Sequence, residues 1–221
     1  MRPFLAIVGS ELRKKFRNSG ELFFPALFFM ICMIMFPIAL GTDLFEQRGI
    51  TSGAVWISAI IAVCLSLENI FVGDYKDGSI EMTLLSGINL PLYCLARATS
   101  YWLSSGMVIM LASIPMALLL GITLEETSIL IMCLAIVTAT ISLIGSSISA
   151  LTAGLRGGSL LLITLLMPLL IPPVIFGTSA TSNTANGLEP VAELFFLAGF
   201  FILALTLSPL TTALAIRIRV Q

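Results

Sequence analysis

The feature that most restricts this chain is where its charges are missing. Residues 22–42, 49–67, 98–124, 127–155, 157–188 and 194–216 contain no Asp, Glu, Lys or Arg. Each window can hold the roughly 20 apolar residues that a helix needs to cross about 30 Å of hydrocarbon. A barrel would need short segments that alternate apolar and polar residues, and these runs are continuous. The windows predict an all-α integral membrane protein with six transmembrane helices, at about 22–41, 52–72, 98–120, 128–152, 159–177 and 191–213. Only 10% of the 221 residues are charged, against about 25% in soluble domains. A single transmembrane domain over 1–221 is therefore expected, with almost no soluble mass.

The remaining charges are sorted by side. With the N-terminus in the cytoplasm and six spans, the inner face receives Arg2, Arg13, Lys14, Lys15, Arg17, Lys76, Arg97, Arg156, Arg217 and Arg219, and the outer face only Arg48. Basic loops stay on the cytoplasmic side, so both termini are expected inside. A cleavable signal is not expected, because Glu11, Arg13, Lys14 and Lys15 follow a short apolar run. Within residues 4–17, Leu5, Val8, Leu12 and Phe16 recur at helical spacing, and Glu11, Arg13, Lys14 and Arg17 occupy the other faces. This predicts an amphipathic N-terminal interfacial helix on membrane lipid, its basic residues near lipid phosphates; a bare topogenic charge cluster is the alternative. The net charge of −1 points to no nucleic-acid partner.

Three stretches interrupt the plain succession of spans. The inner loop 73–95, GDYKDGSIEMTLLSGINLPLYCL, is the longest hydrophilic segment. Asp77 or Ser79 can cap a short helix over 80–86, Glu81 complements its positive end, and Gly87, Asn89 and Pro91 stop it. Ile80 and Leu84 share a face that could slot into a groove on a soluble partner; a solvated loop is the bland alternative. Near the outer end of span five, Pro168, Pro172 and Pro173 precede the polar run 178–187. Either a short re-entrant pair or a kinked helix fits. In span four, Ser142, Ser146, Ala150 and Gly154 form a row of small residues that lets helices approach closely, within one subunit or between two.

Catalytic chemistry is not expected. No HExxH, GxSxG or P-loop motif occurs, and none of Lys14, Lys15 and Lys76 follows a glycine. The spans carry no ionisable residue near mid-membrane; Glu68, about one turn from the inner end of span two, comes nearest. Energy for any transport must therefore come from another polypeptide. There is no histidine, and Cys32, Cys64, Cys94 and Cys133 are far apart in sequence, so no metal site or redox motif is expected. Haem iron usually takes a His, Met, Cys or Tyr ligand, and without histidine tight haem ligation is not expected here.

Several blocks resemble the CcmB family. They are Leu67-Glu68-Asn69-Ile70-Phe71, then Asp74 and Asp77-Gly78-Ser79-Ile80-Glu81, and Ala150-Leu151-Thr152-Ala153-Gly154-Leu155-Arg156-Gly157-Gly158. Pro168, Pro172, Phe176-Gly177, Leu207-Ser208-Pro209, Ala215-Ile216-Arg217-Ile218 and Glu11-Leu12-Arg13 extend the likeness over nearly the whole chain, while Gly73 stands where a charged residue is expected. The resemblance implies a non-catalytic, permease-like membrane subunit of an ABC transporter complex in the bacterial inner membrane. Its work would be haem export or haem-chaperone release in c-type cytochrome biogenesis. It implies an ABC-2 exporter-like fold, with a coupling helix after span two and re-entrant elements before span six. The coupling contact would then use Glu68, Asp74, Asp77, Gly78, Ser79, Ile80, Glu81 and Leu84. Implied partners are a CcmA-like ATPase, CcmC-like and CcmD-like subunits, the haem chaperone CcmE indirectly, and a second copy in a homodimer. No cofactor is bound directly: haem is cargo, and ATP acts through the partner. An ABC-2 permease for a lipid, polysaccharide or drug, or a non-transporting assembly scaffold, are the rival expectations.

The charge asymmetry has a direct test. A reporter fused after Gly187 is expected to read as periplasmic and one fused at Gln221 as cytoplasmic; a cytoplasmic signal at 187 would remove span five from the topology.

Overall fold

The computed structural model describes residues 2–17, 19–40, 48–67 and 69–220, and among them every regular element is a helix. In chain order these are α1 (Arg2–Arg17), α2 (Ser19–Leu40), α3 (Arg48–Leu67), α4 (Asn69–Lys76), α5 (Ser79–Leu85), α6 (Leu90–Tyr101), a π-helical segment (Trp102–Gly106), α7 (Met107–Leu119), α8 (Leu124–Thr152), α9 (Gly158–Ala185) and α10 (Val191–Val220). Five rods are long and apolar enough to cross a membrane: Ser52–Lys76, Leu90–Leu119, Leu124–Thr152, Gly158–Ala185 and Val191–Arg219. The remaining expected span, the first at 22–41, coincides with α2, whose described apolar stretch, Phe23–Phe36, is shorter. The expected outer loop at 42–51 falls largely outside the described residues, as does Glu68.

α8 lies at the centre and touches α3, α4, α6, α7, α9 and α10. Its Leu130, Leu134 and Ile141 are fully buried and share one core with Phe29, Met33, Trp56, Leu67, Phe71, Ile109, Leu162 and Leu166. The small-residue row of span four is spent inside the chain, for Ser142, Ser146 and Ala150 are all buried. Buried hydroxyls bond back to their own helices, as Ser100 does to the Ala96 carbonyl at 2.7 Å and Thr138 to Leu134 at 2.7 Å. Between α8 and α10 the Ser147 hydroxyl lies 2.9 Å from Ser208 Oγ, 3.0 Å from Thr211 Oγ1 and 2.9 Å from Thr212 Oγ1, and 3.2 Å from the Ser208 carbonyl.

Two expectations are corrected. α9 is one continuous helix through Pro168, Pro172 and Pro173, so residues 168–185 neither reverse nor form a re-entrant element. Neighbouring helices support it: Pro173 is buried, Gly177 lies against Trp56 of α3, and Ser52 and Thr181 bond at 2.7 Å. The polar residues that follow stay helical, with the Thr178 and Thr184 hydroxyls bonded back to the Val174 and Ala180 carbonyls at 2.9 Å. The inner loop is also shorter than 73–95. α4 reaches Lys76 and α6 starts at Leu90, where the Asn89 side chain accepts from the Leu92 amide at 3.4 Å and Pro91 sits in the first turn.

Gly177 permits a close contact between α3 and α9. A Cβ there would stand 2.6 Å from Cζ2 of the fully buried Trp56. Gly177→Ala is expected to cost about 1–3 kcal/mol of overpacking and to lower the thermal unfolding midpoint in detergent. Gly199→Ala, where no atom lies within 4 Å, leaves the midpoint unchanged or raises it.

Candidate functional site

One end of the bundle gathers most of the residues that the sequence marked. α4 ends with the Asp77 amide donating to the Gly73 carbonyl at 3.1 Å, and the chain turns through Gly78 at φ 73°, a left-handed conformation that glycine adopts without steric cost. Gly78 occupies the cap position and has no side chain to offer, so Asp77 takes over: its Oδ1 accepts from the Ser79 amide at 3.0 Å. Hydrogen bonds from the Ser79 hydroxyl and amide hold the Asp77 carboxyl below the usual carboxylate range. The Ser79 hydroxyl also donates to the Asp74 carbonyl at 3.3 Å, which locks α5 to the end of α4. At the far end Ser86 donates its amide to the Met82 carbonyl at 3.1 Å and its hydroxyl to Thr83 at 2.7 Å.

The face of α5 presented outward is not the expected one. Ile80 is only 5% exposed and belongs to the core, and Leu84 packs against that core. A seven-residue helix is too short to be stable alone, so its apolar stripe anchors it to the bundle. The opposite side carries Glu81, Met82 and Leu85; Met82 is 72% and Leu85 88% exposed. Large apolar side chains this exposed on a membrane protein's polar end form a surface suited to a partner.

Behind α5 lies a buried charge cluster. Arg97 of α6 is 8% exposed and pairs with Glu11 of α1 and Asp74 of α4. Its guanidinium also donates to the Ile70 carbonyl and lies 5.4 Å from the centre of the Phe71 ring. Lys14 bonds Glu11 at 2.8 Å, so two cations and two carboxylates balance. The cluster joins α1, α4 and α6 at the root of α5. Reasoning from sequence counted Arg97 only as one of the inner basic residues. The available signal was its setting, Leu95-Ala96-Arg97-Ala98, because an arginine among apolar and small residues at the mouth of a span must find carboxylates.

Two further segments close on the same end. The Tyr75 ring covers Gly154 in the turn between α8 and α9. Arg219 of α10 donates to the Leu151 carbonyl from Nε at 3.2 Å and from its terminal nitrogen at 2.9 Å, supplying a cation to the α8 C-terminus. Asp74, Asp77, Gly78, Ser79, Ile80, Glu81 and Leu84 are thus brought together with 151–154 and the end of α10. Among the described residues no three His, Cys, Asp or Glu side chains are grouped to hold a metal ion.

Comparison with known proteins covers the whole chain. The family described as "CcmB protein" matches residues 2–219. "Heme exporter protein B" of Pseudomonas aeruginosa is 39% identical over 217 residues, 98% of this chain and 97% of that protein. The protein of the same name from Haemophilus influenzae is 35% identical over 215 residues, 97% of each chain. That of Escherichia coli K12 is 34% identical over 218 residues, 99% of each.

The charge cluster predicts an asymmetric response to mutation. Arg97→Gln leaves Glu11 and Asp74 facing each other with a deficit of positive charge, and a loss of about 3 kcal/mol is expected. The triple variant Arg97→Met, Glu11→Gln, Asp74→Asn removes all three charges and is expected to recover most of the thermal midpoint lost by Arg97→Gln alone. Equal midpoints for Arg97→Gln and the unmodified chain would show that the cluster carries no stability.

Proposed function

The chain belongs to the CcmB family, and on that premise we propose that it is the permease-like membrane subunit of a haem export system serving c-type cytochrome biogenesis. It hydrolyses nothing itself. A separate ABC ATPase subunit, CcmA-like, docks on α5, and ATP-driven motion of that partner is passed to the spans. The observation that carries this reading is the exposed pair Met82 and Leu85 on a helix whose other face is fixed in the core by Ile80. A push on such a helix cannot be absorbed by a loose loop. It passes through Asp74 to Arg97 and Glu11, and so to α6 and α1 together.

Haem is handled as cargo, or its chaperone is released from a neighbouring subunit, and in neither case is iron held tightly here: the 221 residues include no histidine. The exposed apolar faces of α9 and α10, with Leu160, Ile171, Ile175, Phe195, Ile202 and Leu210, leave room for lipid, a second copy and CcmC-like and CcmD-like subunits. The bias of basic residues supports a plasma-membrane orientation with both termini in the cytoplasm.

The contact is tested on the face the structure exposes. Met82→Asp with Leu85→Asp removes two apolar anchors worth roughly 1.5–3 kcal/mol each when buried. Recovery of the ATPase in pull-downs is expected to fall by tenfold or more, on the order of the weaker of those losses, with cytochrome c production lost and membrane insertion intact. Glu81→Lys and Gly78→Pro together, which alter charge and approach without touching a span, are expected to uncouple hydrolysis from cytochrome c production. Normal cytochrome c formation in both double variants would overturn the coupling assignment.

A further inference from the structure

Span three is not one uniform helix. Between α6 and α7 it passes through the π-helical segment Trp102–Gly106, where the Met107 amide donates to the Trp102 carbonyl, one residue further back than in an α-helix. Such a segment loosens the backbone ladder locally and is a recurrent place for a helix to bend. Its two arms have different neighbours: α6 packs chiefly on α1, α8 and α10, and α7 on α2, α3 and α8. We propose that this segment is a hinge, about which the inner arm α6 swings towards α8 and α10 when the docked partner moves α5. The inference rests on the docking contact assigned to α5 above.

The pivot is held while the ladder is loosened. The Tyr101 hydroxyl donates to the Val63 carbonyl of α3 at 2.7 Å, and the Trp102 indole N–H to Thr138 Oγ1 of α8 at 3.1 Å. Two adjacent side chains therefore pin this point of the span to two separate helices. Gly106 makes the second pin possible, because a Cβ there would stand 2.7 Å from Trp102 Cδ1 and 3.0 Å from Thr138 Oγ1. Just before the pivot, Arg97 ties the inner arm to Glu11 and Asp74, so a displacement of α4 and α5 loads this arm directly. The arm also has somewhere to go. Side chains packed at native density leave a rod no room to move, yet an apolar cavity of about 320 Å³ lies beside the pivot. Leu95, Thr99 and Trp102 of span three form one wall, and Ala139 and Leu143 of α8 with Phe201 of α10 form the other.

The test uses the full chain assembled with its co-expressed ATPase in nanodiscs, with nitroxide-bearing residues introduced at positions 92 and 111, one on each arm. Trapping the ATPase with ATP is expected to shift the 92–111 distance by about 2 Å or more, the scale of helix displacements at switching interfaces. Labels at 132 and 151, equally far apart along the continuous α8, are expected to show no shift. Ala139→Leu fills the cavity without altering span three. The shift and cytochrome c production are expected to be lost in it, while recovery of the ATPase in pull-downs is kept. Deleting Ser105, which removes the extra residue of the π-helical turn, is expected to do the same. If that variant is poorly recovered, Ala139→Leu carries the test. The chain alone gives a reading that needs no partner: its 92–111 distance distribution is expected to be broader than that of 132–151. Equal widths would overturn the hinge, as would an undiminished shift in Ala139→Leu or no shift in an unmodified complex that makes cytochrome c. A chain that recovers no ATPase yet shows the broader 92–111 distribution supports the hinge and overturns the docking assignment.

Discussion

Hydrocarbon gives a backbone N–H or C=O no solvent to bond, and the rest of this structure is arranged around that constraint. It makes every described element a helix, and it explains what happens where a helix is interrupted. α9 keeps its course through Pro168, Pro172 and Pro173 because α3 and α8 press against it along its length. Most buried serine and threonine side chains, which compete with helical bonds in water, here bond their own carbonyls, as Ser100, Thr138 and Thr152 do; the buried Ser149 hydroxyl is an exception without a partner among the described residues.

The same constraint sets the terms for charge. Arg97 enters the bundle only because Glu11 and Asp74 accompany it, and Lys14 balances the remainder. Removing charges from water is expensive, and such a cluster is weak as a source of net stability. Its value lies in what it fixes: three helices distant in sequence meet at one guanidinium, at the point where α5 leaves the bundle. Lys15 is held against the Tyr101 ring and the Ser104 hydroxyl.

Much of this was legible from composition alone. Gaps between charges marked the five long rods, since a charge-free run of sufficient length has few other fates, while the window at 22–42 falls on α2, whose described apolar stretch is shorter. The Asp77–Glu81 segment declared a short helix through its turn residues. What sequence could not supply was which way a short helix faces. Ile80 and Leu84 make an apolar stripe, and a stripe satisfies a core as well as a partner; only the position of the bundle decides. The fate of the three prolines depended likewise on neighbours that no local pattern reveals, and Arg97 on carboxylates 86 and 23 positions away along the chain.

The hydroxyl group at the α8–α10 contact has a consequence of another kind. Ser147 finds four oxygens of α10 within reach, yet a hydroxyl donates one bond and accepts two. The contact is therefore degenerate: more pairings are available than can be made at once. Any one of the three α10 hydroxyls can be lost to mutation and Ser147 still has a partner, so these positions can drift one at a time without opening the seam. Redundancy of this sort buffers a polar contact in lipid against single changes, and it leaves the pair of helices several bonding patterns of similar energy rather than one.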